Sequence, residues 1–212
     1  MVTLKAREGH DAHVRRDGME KLARAVRDLG DAVAETGVDR ATVDEVIGAL
    51  QLLTHRLRTE IEDDAYSGLV LKPVDYSVPQ GPMPLNPAIG DCSPVRPDVE
   101  MHYADGEIVG TVKLTRRFVG PPGFAHGGIS AMLADQLVSC APGAIGERTI
   151  TKSLQLDYLR PLPLDEDVEL WGVCEPDGDD FRARFTISAR GKVAVQGTAH
   201  IVSYKRLARR DR

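Results

Sequence analysis

The stretch that decides the fold is Gly120-Pro-Pro-Gly-Phe-Ala-His-Gly-Gly-Ile-Ser-Ala-Met-Leu-Ala-Asp135. Turn-forming residues lead into His126-Gly127-Gly128, and an apolar run with one acid follows. A helix is therefore expected to open at about His126 and to run to about Cys140, where Pro142-Gly143 stops it. The first N–H groups of a helix have no intrahelical partner, and glycines there let a ligand approach closely. Such a helix start can hold a carbonyl oxygen and stabilise an oxyanion as it develops. Asp135 lies among Ile129, Ala131, Met132, Leu133, Leu137 and Val138, where an unpaired carboxylate is costly; catalysis is one reason for its presence.

Gly128 and Asp135 are seven residues apart, about two turns or roughly 10 Å along a helix axis. One helix cannot bring both to a single reacting carbon. If both act on one substrate they come from different chains, and two such helices antiparallel across a two-fold axis would form two equivalent sites in a homodimer.

Strand-like runs flank the helix. Val99 to Ala104 and Glu107 to Thr115 surround Asp105-Gly106, a pair suited to a type I′ hairpin. Four more runs follow at about 149–160, 166–176, 180–190 and 192–204, with turns at Asp177-Gly178 and Gly191-Lys192. Short connections among the last four favour an antiparallel sheet packed around the single helix, an α+β architecture.

Upstream, residues 73–97 hold seven of the thirteen prolines, which forbids regular helix or central strand and points to an extended connecting segment over 66–98. Before it, residues 1–65 read as a helical hairpin. Met19, Leu22, Val26, Leu29 and Val33 form one stripe, and Val46, Ile47, Leu50, Leu53 and Leu57 form another. Gly37 marks the break, and Thr42 with Glu45 reads as a capping box opening the second helix. These stripes serve packing on the chain's own domain or a dimer mate, or else a partner surface.

Composition excludes several classes. The 212 residues are 42% hydrophobic and 28% charged with a net charge of -5, so nucleic acid is not expected as a partner. No apolar run approaches the roughly 20 residues of a membrane span, and the N-terminus lacks a signal-peptide core, so no membrane partner and a cytoplasmic location are expected. Cys92, Cys140 and Cys174 are odd in number and have no metal-like spacing, which argues against a disulfide framework or a zinc finger.

The glycine-rich turn, His126-Gly127-Gly128 and the acid nine residues after the histidine resemble the signature of hotdog-fold acyl-CoA thioesterases of the PaaI-like, phenylacetate-pathway group. Leu156-Asp157-Tyr158-Leu159-Arg160-Pro161 is similar to the strand that follows the helix in that family, and the resemblance covers about residues 84–204. It implies a hotdog domain over 99–205, followed by a basic tail at 206–212. It also implies hydrolysis of an acyl-CoA thioester to a carboxylate and free coenzyme A, with no metal or cofactor, in a homodimer or a homotetramer built as a dimer of dimers. In such enzymes the helix-start amide, here Gly128 with Gly127 shaping the approach, polarises the carbonyl. The helix acid, here Asp135 of the partner chain, activates water or attacks directly. His126 would hold the turn, and Thr151 would position the water or the carboxylate. The turn Phe118-Val119-Gly120-Pro121-Pro122 departs from relatives that carry an Asn or an acid there.

Other readings stay open at this point. Asp135 could pair with Arg117 or Arg148. Cys140 invites a nucleophile reading, although no His-plus-acid arrangement accompanies it. Lys152, Arg160, Lys205 and Arg206 could meet coenzyme A phosphates, and Phe124, Met132 and Leu133 could line an acyl pocket. The rival functions are a non-catalytic hotdog domain that binds acyl-CoA as a sensor or carrier, and a scaffold whose hairpin binds a protein.

Overall fold

The computed structural model describes residues 10–62, 66, 68–71, 75, 77–79, 83–145 and 149–203. Two helices come first, α1 (His10–Glu35) and α2 (Arg40–Leu57). Strands β1 (Asp98–Ala104) and β2 (Glu107–Lys113) follow, then helix α3 (Gly127–Cys140). Strands β3 (Thr149–Tyr158), β4 (Asp167–Asp177), β5 (Asp180–Ala189) and β6 (Lys192–Ser203) complete the described chain. One antiparallel sheet holds all six strands in the order β1-β2-β4-β5-β6-β3, so β3 is an edge.

Alternation makes the sheet two-faced. In β5, Ala183, Phe185 and Ile187 are buried while Arg182 and Arg184 on the opposite face are more exposed. The buried face receives α3, whose Leu133, Leu137 and Val138 are fully enclosed with Ile108, Val112, Phe185 and Ile201. Each such side chain contributes about 1.5–3 kcal/mol of transfer free energy, so this layer is the main stabilising contact. Two tight turns carry paired positive φ angles, at Asp105-Gly106 (50° and 81°) and at Arg190-Gly191 (54° and 67°). The second is one residue earlier than the Gly191-Lys192 expected, because Ala189 pairs with Lys192. Likewise Asp177 pairs with Asp180, leaving Gly178-Asp179 as that turn's centre.

The N-terminal helices depart from expectation in detail. Arg15 of α1 lies 3.1 Å from Glu62, just beyond the end of α2. The side of α1 that docks is rotated away from its apolar stripe: Ala23 and Arg27 are buried while Val26 and Val33 are exposed. Guanidinium groups explain the rotation. Arg27 donates to the Ser93 carbonyl at 2.7 Å, Arg16 donates to the Leu69 carbonyl at 2.9 Å, and Asp31 pairs with Arg117 at 3.0 Å. The arginines satisfy loop carbonyls that an apolar face would strand. Helix α2 is capped by Asp39 rather than Thr42; the Thr42 amide is the donor to Asp39 Oδ1, at 2.9 Å.

The proline-rich segment is compact where it is described, contrary to the extended path expected. Cys92 N–H donates to the Pro84 carbonyl and Gly90 N–H to the Asn86 carbonyl. Asn86 is the hub of these turns: its Oδ1 accepts from the amides of Ala88 (2.8 Å) and Ile89 (3.1 Å), and its Nδ2 donates to Gln136 Oε1 at 2.8 Å. The segment is thereby fastened to α3 beside Asp135, with Ile89 fully buried. Asn86→Ala strands three polar partners and is expected to cost about 2–3 kcal/mol in urea unfolding; a loss below about 0.5 kcal/mol would show that the hub is dispensable.

Candidate active site

The turn before α3 is shaped so that its histidine sits tightly against the chain. A Cβ on Gly120 would come within 2.7 Å of His126 Cα, and Gly123 has φ +82°, so both glycines are required for close approach or positive φ. Backbone bonds then hold the helix entry from two sides: His126 N–H donates to the Phe118 carbonyl (2.8 Å), and Ala125 N–H donates to the Leu162 carbonyl (3.0 Å).

His126 is the N-cap of α3. Its Nδ1 accepts the Gly128 N–H at 2.9 Å, which requires an imidazole with a free lone pair on that nitrogen. The sequence reading made the Gly128 amide the donor to a substrate carbonyl, but here that amide is engaged. The neighbouring Gly127 N–H has no acceptor among the described residues. Tyr158, at the end of β3, donates its hydroxyl to the Gly127 carbonyl at 3.0 Å and lies over the place where a Gly127 side chain would stand. Tyr158 was visible in the sequence only as part of a strand; its hold on the helix start depends on how β3 crosses α3.

Beside this helix start is an open cavity of about 270 Å³, lined in part by Phe124, Gly127, Ser130, Tyr158 and Arg160. Of the expected lining residues Phe124 is present, whereas Leu133 is fully buried in the core. Two turns along α3, Asp135 is exposed rather than enclosed among its apolar neighbours, because the helix turns it away from the face that packs on the sheet. Arg117 is engaged with Asp31 on another side of the fold, and Arg148 lies outside the described residues. Thr151 stands in register with the buried Ile201, on the helix-facing side of β3, and its Oγ1 is buried without a partner among the described residues. Lys152 is at a bulge in the same strand, Arg160 donates to the Val193 carbonyl at 2.8 Å, and Lys205 and Arg206 lie outside the described residues, as does the tail 206–212.

Cys140, at the other end of α3, is buried and accepts from Gln136 Nε2 at 2.8 Å. Burial pushes its thiol up to about 11, and the same cause brings Cys92 and Cys174 to about 11. A raised thiol is a poor nucleophile near neutrality.

Two outcomes follow. His126→Ala removes the cap and is expected to lower stability by about 1 kcal/mol, while His126→Asn keeps most of it; equal losses in thermal unfolding would discount the cap. The three thiols should resist alkylation in the native protein at pH 8 and all react after denaturation. Because the folded thiols hold their protons more tightly, their stability contribution is complete below about pH 9 and is lost as pH rises toward 11.

No family model and no curated protein matches the chain. Among solved structures it is similar to a thioesterase superfamily protein, at 28% identity over 87% of this chain and 90% of that one, with a TM-score of 0.74. Half-chain similarity extends to a hypothetical thioesterase from Streptococcus pneumoniae TIGR4 solved with coenzyme A, at 24% identity over 50% of this chain and 89% of that one, TM-score 0.48. A mutant of the phenylacetic acid degradation protein PaaI from Thermus thermophilus matches at 26% identity over 49% of this chain and 91% of that one, TM-score 0.45. A six-stranded antiparallel sheet packed on one central helix is the hotdog arrangement, and over most of its length the chain is similar to a thioesterase superfamily protein.

Proposed function

We propose that the chain is an acyl-CoA thioesterase of the PaaI-like group that acts in the cytoplasm as a homodimer. The observation that carries this reading is the start of α3: an amide without an acceptor among the described residues at Gly127, and an exposed carboxylate at Asp135 two turns further on. Both features leave α3 incomplete in a single chain. The edge strand β3 lies beside it, and an edge is satisfied by pairing with another strand. A two-fold arrangement across this edge sets Gly127 of one protomer opposite Asp135 of its partner.

In the proposed reaction the thioester carbonyl oxygen accepts the Gly127 N–H at the positive end of the helix dipole. The Gly128 amide, committed to His126 Nδ1, keeps the turn rigid and leaves the adjacent donor aimed outward. Asp135 of the partner takes a proton from water, and the oxygen attacks the carbonyl carbon to form a tetrahedral oxyanion held by the same amide. The oxyanion collapses and the carbon–sulfur bond breaks, the coenzyme A thiolate takes the proton held by Asp135, and the carboxylic acid ionises to solvent, leaving the acyl carboxylate. Thr151 Oγ1 orients the water. The domain from about 99 to 205 carries this chemistry, with Asn86 fastening the preceding segment to α3.

Free-thiol release from a panel of short, medium, long and aryl acyl-CoAs tests the reading. Asp135→Asn is expected to lower turnover by about 10²–10⁴-fold while the Kd for a non-hydrolysable acyl-CoA thioether stays unchanged. Thioether binding with no turnover by the wild-type chain would replace the enzyme with an acyl-CoA sensor, and neither binding nor turnover would remove acyl-CoA from the account.

A further inference from the structure

Helix α1 precedes the sheet and α3, yet one of its acids reaches the turn that leads into α3. Asp31 Oδ1 accepts from the Thr115 hydroxyl at 2.5 Å and lies 3.0 Å from Arg117 Nε. These two residues frame the 3-10 turn Arg116–Phe118, with Thr115 at its N-cap position and Arg117 in its middle. The Thr115 side chain makes no capping bond to that turn; its hydroxyl is given to α1 instead. Arg117 is held on two further sides, with its guanidinium 4.7 Å from the centre of the Phe118 ring and donating to the Arg96 carbonyl at 3.3 Å. Close approach of α1 is built in at Gly30, where a Cβ would stand 3.3 Å from Arg117 Cδ. Glycine is disfavoured inside a helix, and here it opens the space in which the arginine stem lies.

From this turn the path to α3 is short. The Phe118 carbonyl accepts the His126 N–H at 2.8 Å, and the legs of the intervening loop are joined again by the Val119–Ala125 bridge and by Gly120 N–H donating to the Phe124 carbonyl at 2.9 Å. Gly120 also packs on His126 with no room for a Cβ. A loop closed in this way moves as one piece, so a shift of Phe118 is carried to His126, whose ring caps α3 through Gly128. Other ties of α1 end elsewhere: Arg16 donates to the Leu69 carbonyl and Arg27 to the Ser93 carbonyl.

We propose that Asp31 is a positioning residue for the candidate active site, acting through Thr115, Arg117 and Phe118 to set the His126 cap and the amides at the start of α3. It touches no reacting atom. Its effect on turnover rests on the thioesterase reading; its effect on the helix start does not.

Amide hydrogen exchange by NMR and acyl-CoA turnover are measured on the full chain for Asp31→Ala, Asp31→Asn and Thr115→Val, with Arg16→Leu as a comparison that loosens α1 near its other end. Asp31→Ala is expected to speed exchange of the His126 and Gly128 amides about tenfold while the β5 amides keep their wild-type rates. It is expected to lower kcat about tenfold with KM within about twofold, because a small misplacement acts on orientation in the transition state. Asp31→Asn keeps an acceptor for Thr115, and Thr115→Val keeps the partner of Arg117, so each should fall between Asp31→Ala and wild type. Arg16→Leu should match wild type at His126. Unchanged exchange at His126 and Gly128 in Asp31→Ala overturns the proposal, as does faster exchange there with unchanged kcat in an active enzyme. Equal acceleration in Arg16→Leu or throughout β5 also overturns it, by reducing Asp31 to general support of the fold. A wild-type chain that turns over no acyl-CoA removes the thioesterase reading, and exchange alone then decides whether Asp31 sets the helix start.

Discussion

The hydrogen bond from Gly128 N–H to His126 Nδ1 decides which amide at the start of α3 is left without an acceptor among the described residues. A helix start has several amides without intrahelical partners, and a cap selects among them. His126 takes the second glycine's amide, and the first has no acceptor among the described residues. Gly120 lets the histidine's backbone sit close, Phe118 and Leu162 hold the entry through their carbonyls, and Tyr158 steadies the Gly127 carbonyl from the far side. These contacts together fix the backbone where α3 begins.

The axis of α3 is held just as firmly by what lies beneath and beside it. Leu133, Leu137 and Val138 lock it to the sheet, and the Asn86–Gln136 bond fastens the preceding proline-rich segment to the residue next to Asp135. Gln136 points inward and Asp135 outward because neighbours on a helix are about 100° apart. One buried amide and one exposed carboxylate thus arise from adjacent positions, and the packing that buries the first orients the second.

The N-terminal helices follow a different physical rule. Helix α1 is held by arginines that satisfy loop carbonyls and by the Asp31–Arg117 ion pair, while Val26 and Val33 of its apolar stripe stay at the surface. Helix α2 keeps the regular spacing of a packed helix but buries none of its residues. Apolar periodicity reports that a helix has a sticky face, and the direction of that face is set by whichever neighbours offer the larger gain.

Much of the fold was legible in the order of residues. The Asp105-Gly106 turn, the period-two strands, the helix beginning at His126-Gly127-Gly128 and its end near Pro142 are local consequences of backbone sterics and side-chain alternation, which act over a few residues. Contacts between distant segments were not legible: Asn86 with Gln136, Tyr158 with Gly127, and Arg27 with the Ser93 carbonyl join positions 31 to 66 residues apart. The same holds for Asp39 as the cap of α2 and for the exposure of Asp135, since a cap depends on realised backbone angles and burial on which face the sheet covers. Local sterics therefore settled the elements and the candidate residues, while the choice of Gly127 over Gly128 as open donor arose from the packing that brought the His126 ring onto the helix end.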